Sequence, residues 1–90
     1  MARMGMDVDA VNGVGGDLKK LADQIDVLTG QINGKVQSLP GIWEGKDAND
    51  FVHTWWPQHQ KSLKAAAEAI KGLGQSAINN ADEQRKVSEH

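Results

Sequence analysis

The 90-residue sequence has no cysteine, no tyrosine, one phenylalanine and two prolines. Without cysteine, no disulfide can stabilise so short a chain. The formal net charge is −2 with acids and bases interspersed, so the positive field that nucleic-acid binding requires is missing. No apolar run approaches the roughly 20 residues of a membrane span. Residues 1–14 also lack the apolar core of a secretory signal peptide, so we expect any export to proceed without a cleaved signal.

The first half of the chain carries one amphipathic stripe. Apolar residues fall at positions 8, 11, 14, 18, 21, 25, 28, 32, 36 and 39. Gaps of three and four predict a helix from about residue 9 to 39, with Asp9 as a candidate N-cap. Glycines interrupt it at Gly13, Gly15, Gly16, Gly30 and Gly34. Each glycine disfavours a helix by about 1 kcal/mol relative to alanine, so the helix can begin as late as Asp17. Alternatively, some of these glycines are present because they let another backbone pack closely against the helix. Pro40 and Gly41 end it.

A second stripe follows a loop predicted at residues 40–46. Its members are Phe51, Trp55, His59, Leu63, Ala66, Ile70, Leu73, Ala77 and Ala81. They predict a second helix from about residue 47 to 87. Pro57 removes a backbone hydrogen bond and costs on the order of 3 kcal/mol inside a helix. Because the four-residue rhythm passes through the proline, a kinked continuous helix is favoured over a break near Trp55.

Together these stripes predict an all-α antiparallel helical hairpin, a single domain over residues 1–90. Each stripe is wider than one helical seam: Ala22 and Val36 flank the first, Val52 and Trp56 the second. Pairing two hairpins into a four-helix bundle would cover both faces. Trp55 and Trp56 point about 100° apart, and we expect Trp55 inward and Trp56 at a flank or dimer contact. Residues predicted for the core or dimer interface are Leu18, Leu21, Ile25, Leu28, Ile32, Phe51, Trp55, Trp56, Leu63, Ile70 and Leu73.

The sequence offers no set of residues suited to catalysis. No nucleophile with a base, no phosphate-binding loop and no convergent carboxylate pair can be identified. His53 and His59 are six residues apart, which does not place them on one helix face as a metal pair would be. His59 is instead expected to be packed or hydrogen-bonded. We therefore predict a protein that is not an enzyme and has no metal or cofactor.

The connection between the helices contains a Trp-X-Gly tripeptide, Trp43-Glu44-Gly45. In this setting the chain resembles the Trp-X-Gly (WXG, ESAT-like) family of small type VII secretion substrates of actinobacteria and firmicutes. The order of residues that carries the resemblance is Trp43, Gly45, Asp47, Ala48, Phe51, Trp55, His59 and Leu63. The segment from Asn80 to Arg85 is also similar to the C-terminal helix of family members.

The resemblance implies a homodimer, or a heterodimer with a paralogous WXG protein, that is exported by the type VII machinery. The protein would be cytoplasmic before export and then secreted or associated with the cell wall, as an effector, adaptor or escort of a co-exported partner. Trp43, Glu44 and Gly45 would belong to its recognition surface. Family members commonly add a C-terminal tyrosine followed four residues later by an acid. Asn79 and Glu83 have that spacing without the tyrosine, a degenerate form of the motif.

Two other functions stay open. Without the resemblance, the physical properties of the residues favour a structural role for Trp43, in which its ring packs over the open end of the helical seam and Gly45 permits the turn. The protein would then be a cytosolic four-helix-bundle interaction module, an alternative that the missing tyrosine favours. A membrane-active amphipathic protein ranks third, because the polar faces are not rich in lysine and arginine.

Overall fold

The computed structural model describes residues 6–88, which form two long antiparallel helical arms joined by a turn. Helix α1 spans Val8–Gln37, α2 spans Lys46–Asp50 and α3 spans Trp56–Ser88. A 3-10 turn, Leu39–Gly41, follows α1, and a π-helical turn, Phe51–Trp55, joins α2 to α3. The rod measures 67 × 16 × 16 Å. The predicted all-α hairpin is confirmed; residues 1–5 and 89–90 of the predicted domain lie outside the described residues.

Helix α1 begins earlier than its glycines suggest. Asp7 is the N-cap, and its Oδ1 accepts a hydrogen bond of 3.1 Å from the Ala10 amide. The cap satisfies one of the free amides of the first turn, so neither Asp9 nor Asp17 marks the start. At its other end α1 stops at Gln37, and Pro40 lies in the 3-10 turn that follows.

Pro57 is the second residue of α3, and the helix continues through it without a break. The turn before the proline widens into the π turn, in which the Trp56 amide donates to the Phe51 carbonyl, five residues back. Proline has no amide to donate and its ring crowds the carbonyl four residues earlier. A widened turn at this point accommodates both effects.

The buried seam between the arms is built mainly from small residues. On α1 the buried positions are seven apart, at Gly15, Ala22, Thr29 and Val36. On α3 they are the small residues Ala67, Gly74 and Ala81 and, near the turn, Trp56. At one point the two backbones touch. A Cβ atom on Gly15 would lie 2.7 Å from the Gly74 carbonyl oxygen, and one on Gly74 would lie 2.6 Å from the Gly15 carbonyl oxygen. Only glycine fits both positions of this crossing.

The largest buried side chains lie near the turn, where Val36, Val52 and Trp56 form a cluster. The Trp56 Nε1–H donates to Asn33 Oδ1 at 2.9 Å, which satisfies the polar atom of a ring that is 4% exposed. The predicted orientation of the tryptophan pair is wrong: Trp56 points inward and Trp55 is 48% exposed. The seam runs through the flanking positions Val52 and Trp56, where Trp56 gains an acceptor on α1.

Candidate functional site: an apolar flank beside an aromatic turn

One side of the buried seam is lined by exposed apolar residues. On α1, three exposed residues each directly precede a buried one: Val14, Leu21 and Leu28. On α3, exposed Leu73 precedes buried Gly74. These four side chains are 50–60% exposed. Residues three or four positions apart share a helix face, so the half-buried Leu18, Ile25 and Ile70 and the exposed Ile32 extend the same strip. We call this strip the apolar flank.

The other side of the seam is polar and is bridged between the arms. Here Asp23 and Gln75 each follow a buried residue, Ala22 or Gly74, and Asp9 follows half-buried Val8. Three contacts cross the seam on this side: Lys19 to Gln75 at 2.7 Å, Lys71 to Asp23 at 3.4 Å and Arg85 to Asp9 at 2.8 Å. Exposed pairs of this kind contribute roughly 0–1 kcal/mol each. One flank of the hairpin is therefore polar and bridged between the arms, and the other is apolar and exposed.

The turn is shaped by Gly45, whose φ of +112° is a conformation that side-chain-bearing residues rarely adopt. Trp43 precedes it by two residues and is 40% exposed. Its ring lies outside the buried cluster of Val36, Val52 and Trp56 and packs against Phe51. Trp43 therefore remains accessible at the surface of the turn.

Four rings form a continuous row along the start of the second arm, which we call the aromatic row. The centroid distances are 5.8 Å from Trp43 to Phe51, 4.9 Å from Phe51 to Trp55 and 3.9 Å from Trp55 to His59. The last two pairs are stacked, with interplanar angles of 18° and 23°. His59 Nδ1 also lies 2.8 Å from the Trp55 carbonyl oxygen, so the imidazole is fixed by both a ring contact and a hydrogen bond.

Beside the aromatic row is an open groove of about 500 Å³, which we call the turn groove. It is lined by the aromatic residues Trp43, Phe51 and Trp55 together with the acidic residues Asp47 and Asp50. The Asp50 carboxylate accepts a hydrogen bond of 2.5 Å from Lys46, and this bond and the opposite charge raise the pKa of Lys46. The side chain of Asp47 makes no hydrogen bond or ion pair with another residue of the described range.

The predicted core and interface residues divide by burial. Trp56 is buried; Leu18, Ile25, Phe51, Leu63 and Ile70 are partly buried; Leu21, Leu28, Ile32, Trp55 and Leu73 are exposed. The exposed members lie on the apolar flank or, in the case of Trp55, in the aromatic row. Sequence reasoning missed Asn33, since a single asparagine in a helix gives no signal of the indole it will meet.

The Trp-X-Gly turn and the degenerate C-terminal pair are far apart in one chain. Glu44 is exposed at the turn, whereas Asn79 and Glu83 are exposed well along α3. Asn79 accepts a hydrogen bond of 2.9 Å from Gln75, on its own helix. At a rise of 1.5 Å per residue, the 23 residues from Trp56 to Asn79 span roughly 35 Å. The two elements can form a common surface only between two chains.

Within residues 6–88, no three histidine, aspartate or glutamate side chains converge as metal ligands would. No helix in that range combines the length and the apolar character needed to cross a bilayer. No family model matches the chain, and neither a curated protein nor a solved structure is significantly similar to it.

Proposed function

We propose that this protein acts by pairing its hairpin with a second hairpin and, as a pair, is a small substrate or escort of type VII secretion. The observation that carries the proposal is the apolar flank: an exposed strip that runs along one side of a hairpin whose turn is Trp43-Glu44-Gly45. Long exposed apolar strips on soluble helices are characteristic of protein–protein contacts.

The flank has the composition that helix pairing requires. Leu21, Leu28 and Leu73 each keep at least half of their surface in water, so each gains on the order of 1 kcal/mol when a partner covers it. Alanines at 66 and 77 lie along the same face of α3 and let another helix approach closely. Two such hairpins form a four-helix bundle with the polar, bridged flanks facing water. The partner is an identical chain or a related Trp-X-Gly protein.

Recognition by the secretion machinery is supported by the turn. Trp43 is accessible, and Gly45 holds the turn in a conformation that other residues resist. Asn79 and Glu83 lie too far from Trp43 in one chain to act with it, which suits a surface composed from two paired chains.

Export is tested by following the protein in culture supernatant of an actinobacterial host with a type VII system, with and without the secretion ATPase. We expect ATPase-dependent appearance outside the cell, and loss of export when Trp43→Ala is introduced. Ile42→Ala is the matched control, because Ile42 is adjacent and more exposed than Trp43. Cytosolic retention in every strain, including strains that co-express a small Trp-X-Gly partner, would overturn the export part of the proposal.

A cytosolic interaction module is the second candidate, favoured by the absence of tyrosine from the chain. The same hairpin pairing would then assemble larger proteins without export. The fractionation experiment separates the two, since this module would pair normally and never leave the cell.

A further inference from the structure

We infer that the turn groove binds a cationic side chain, an arginine or lysine within an extended segment of a partner polypeptide. The inference deepens the proposed function by giving the chemistry of a partner, and it rests on that function only in assuming that the protein works through association. The groove lies beside the apolar flank, but no flank residue lines it, so the two surfaces can be changed separately.

The groove combines the two kinds of group that attract an organic cation. Its apolar wall consists of the Trp43, Phe51 and Trp55 rings, which lie in one row with neighbouring centroids 5.8 and 4.9 Å apart. Trp55 is stacked on both Phe51 and His59, whereas Trp43 is tilted by 57° from Phe51 and is stacked on no ring of the row. The face of such a ring attracts ammonium and guanidinium groups. Asp47 and Asp50 line the same groove, and because they are three residues apart their carboxylates lie on one face of the helix. Arginine fits best, because its planar group stacks on an indole while its N–H groups reach a carboxylate.

The carboxylates are available to such a ligand. The Asp47 carboxylate has no hydrogen-bonding or ionic partner among the residues of the described range. Asp47 lies in the first turn of α2, where a carboxylate interacts favourably with the helix dipole. That interaction does not depend on the aromatic rings beside it. Asp50 is paired with Lys46, but the side chains of that pair are 54% and 85% exposed, so water weakens their interaction and an incoming cation can replace Lys46.

When two hairpins pair through the apolar flank, the outer side of the groove remains open. Phe51 and Trp55 directly precede buried Val52 and Trp56, as flank residues precede theirs, so these two rings adjoin the paired surface. Thr54 and Gln58 complete the lining of the groove, and each follows a buried seam residue, Val52 or Trp56, by two positions. Two residues along a helix correspond to a rotation of about 200°, which places both on the outer side of the arm. Thr54 and Gln58 are accordingly exposed.

The test is a titration of two short acetylated and amidated peptides of glycine, leucine and one arginine, the second with citrulline in place of arginine. Citrulline keeps the shape and removes the charge. Binding is followed by two-dimensional NMR, in which the indole N–H signals of the three tryptophans are separate probes. The protein is used as the full chain, wild type and with Asp47→Asn and Asp50→Asn combined. Asp82→Asn, an exposed acid on α3 outside the groove, is the control.

We expect the arginine peptide to shift the Trp43 and Trp55 signals more than that of buried Trp56. It should bind roughly three- to tenfold more tightly than the citrulline peptide. The double variant should lose this preference while Asp82→Asn keeps it. Equal binding of both peptides, no binding at millimolar concentration, or an unchanged preference in the double variant would overturn the inference. The oligomeric mass of the double variant is measured alongside, so that failure of the groove is distinguished from failure of hairpin pairing.

Discussion

At the scale of single residues, the shape of the turn depends on Gly45, at φ +112°. A Cβ atom there would meet no other atom within 4 Å, so replacing it tests the backbone conformation alone. We expect Gly45→Ala to lower the free energy of unfolding by about 1–3 kcal/mol, measured by urea denaturation with circular dichroism. Gly34→Ala, in an ordinary helical conformation with equally open space, should instead stabilise by up to about 1 kcal/mol. Equal effects of the two changes would contradict this account.

The hydrogen bond from Trp56 to Asn33 is the second residue-scale feature. Removal of the acceptor by Asn33→Ala leaves the indole N–H of a nearly buried ring without a partner. We expect a loss of about 1–3 kcal/mol in the free energy of unfolding. Gln37 also contacts Asn33, at 3.3 Å, but it is exposed, and Gln37→Ala should change stability by less than about 0.5 kcal/mol. A stable Asn33→Ala protein would show that water or another group replaces the acceptor.

At the scale of the helices, the crossing of α1 and α3 depends on Gly15 and Gly74. An alanine at Gly15 would place its Cβ 2.7 Å from a backbone oxygen and 2.8 Å from Ile78 Cγ1, so the arms must separate locally. We expect Gly15→Ala to cost about 1–3 kcal/mol in thermal or urea unfolding. The adjacent Gly16 has open space around it, and Gly16→Ala should stabilise α1. The hairpin would have to cross differently if both substitutions proved stabilising.

These glycines show why the sequence predicts the helices better than the seam. The three- and four-residue spacing correctly indicates an all-α hairpin. It also draws attention to the largest apolar residues, such as Leu21 and Leu28, which line the exposed flank. The buried positions beside them are small, Gly15 and Ala22 among them, because small residues let the backbones approach. A glycine in a helical stretch lowers helix propensity, and only tertiary contact shows that it packs.

The π turn before Pro57 could not be predicted from the sequence either. The four-residue rhythm from Phe51 to His59 correctly places rings on one face, and it continues through the proline. Whether a helix kinks, breaks or widens at proline depends on which carbonyls other groups can satisfy. That choice is coupled to the packing of Trp56 against α1, which local sequence does not specify.

At the scale of the whole molecule, the candidate site combines features that differ in how far they can be predicted. The Trp43-Glu44-Gly45 turn and the apolar character of the flank are visible in the sequence. The turn groove is not, because Trp43 reaches Phe51 only through the geometry of the turn. The polar flank is not visible either, since its bridges join residues 48 to 76 positions apart and depend on the register of the two arms.

The asymmetry of the two flanks leads to a prediction about assembly. Leu28 lies on the apolar flank, whereas Val27, equally exposed, lies five positions from buried Ala22 and so on the outer side of α1. If pairing uses the flank, a charge at Leu28 must be buried without a partner, which costs several kcal/mol, while a charge at Val27 stays in water. We expect light scattering after size exclusion to give a dimer for the wild type and for Val27→Glu, and a monomer for Leu28→Glu. A wild type that is monomeric at micromolar concentration would restrict pairing to a paralogous chain, and the same two variants would then be compared in the mixture. Dissociation by Val27→Glu but not by Leu28→Glu would place the interface on the outer side of α1 and refute the role given to the apolar flank.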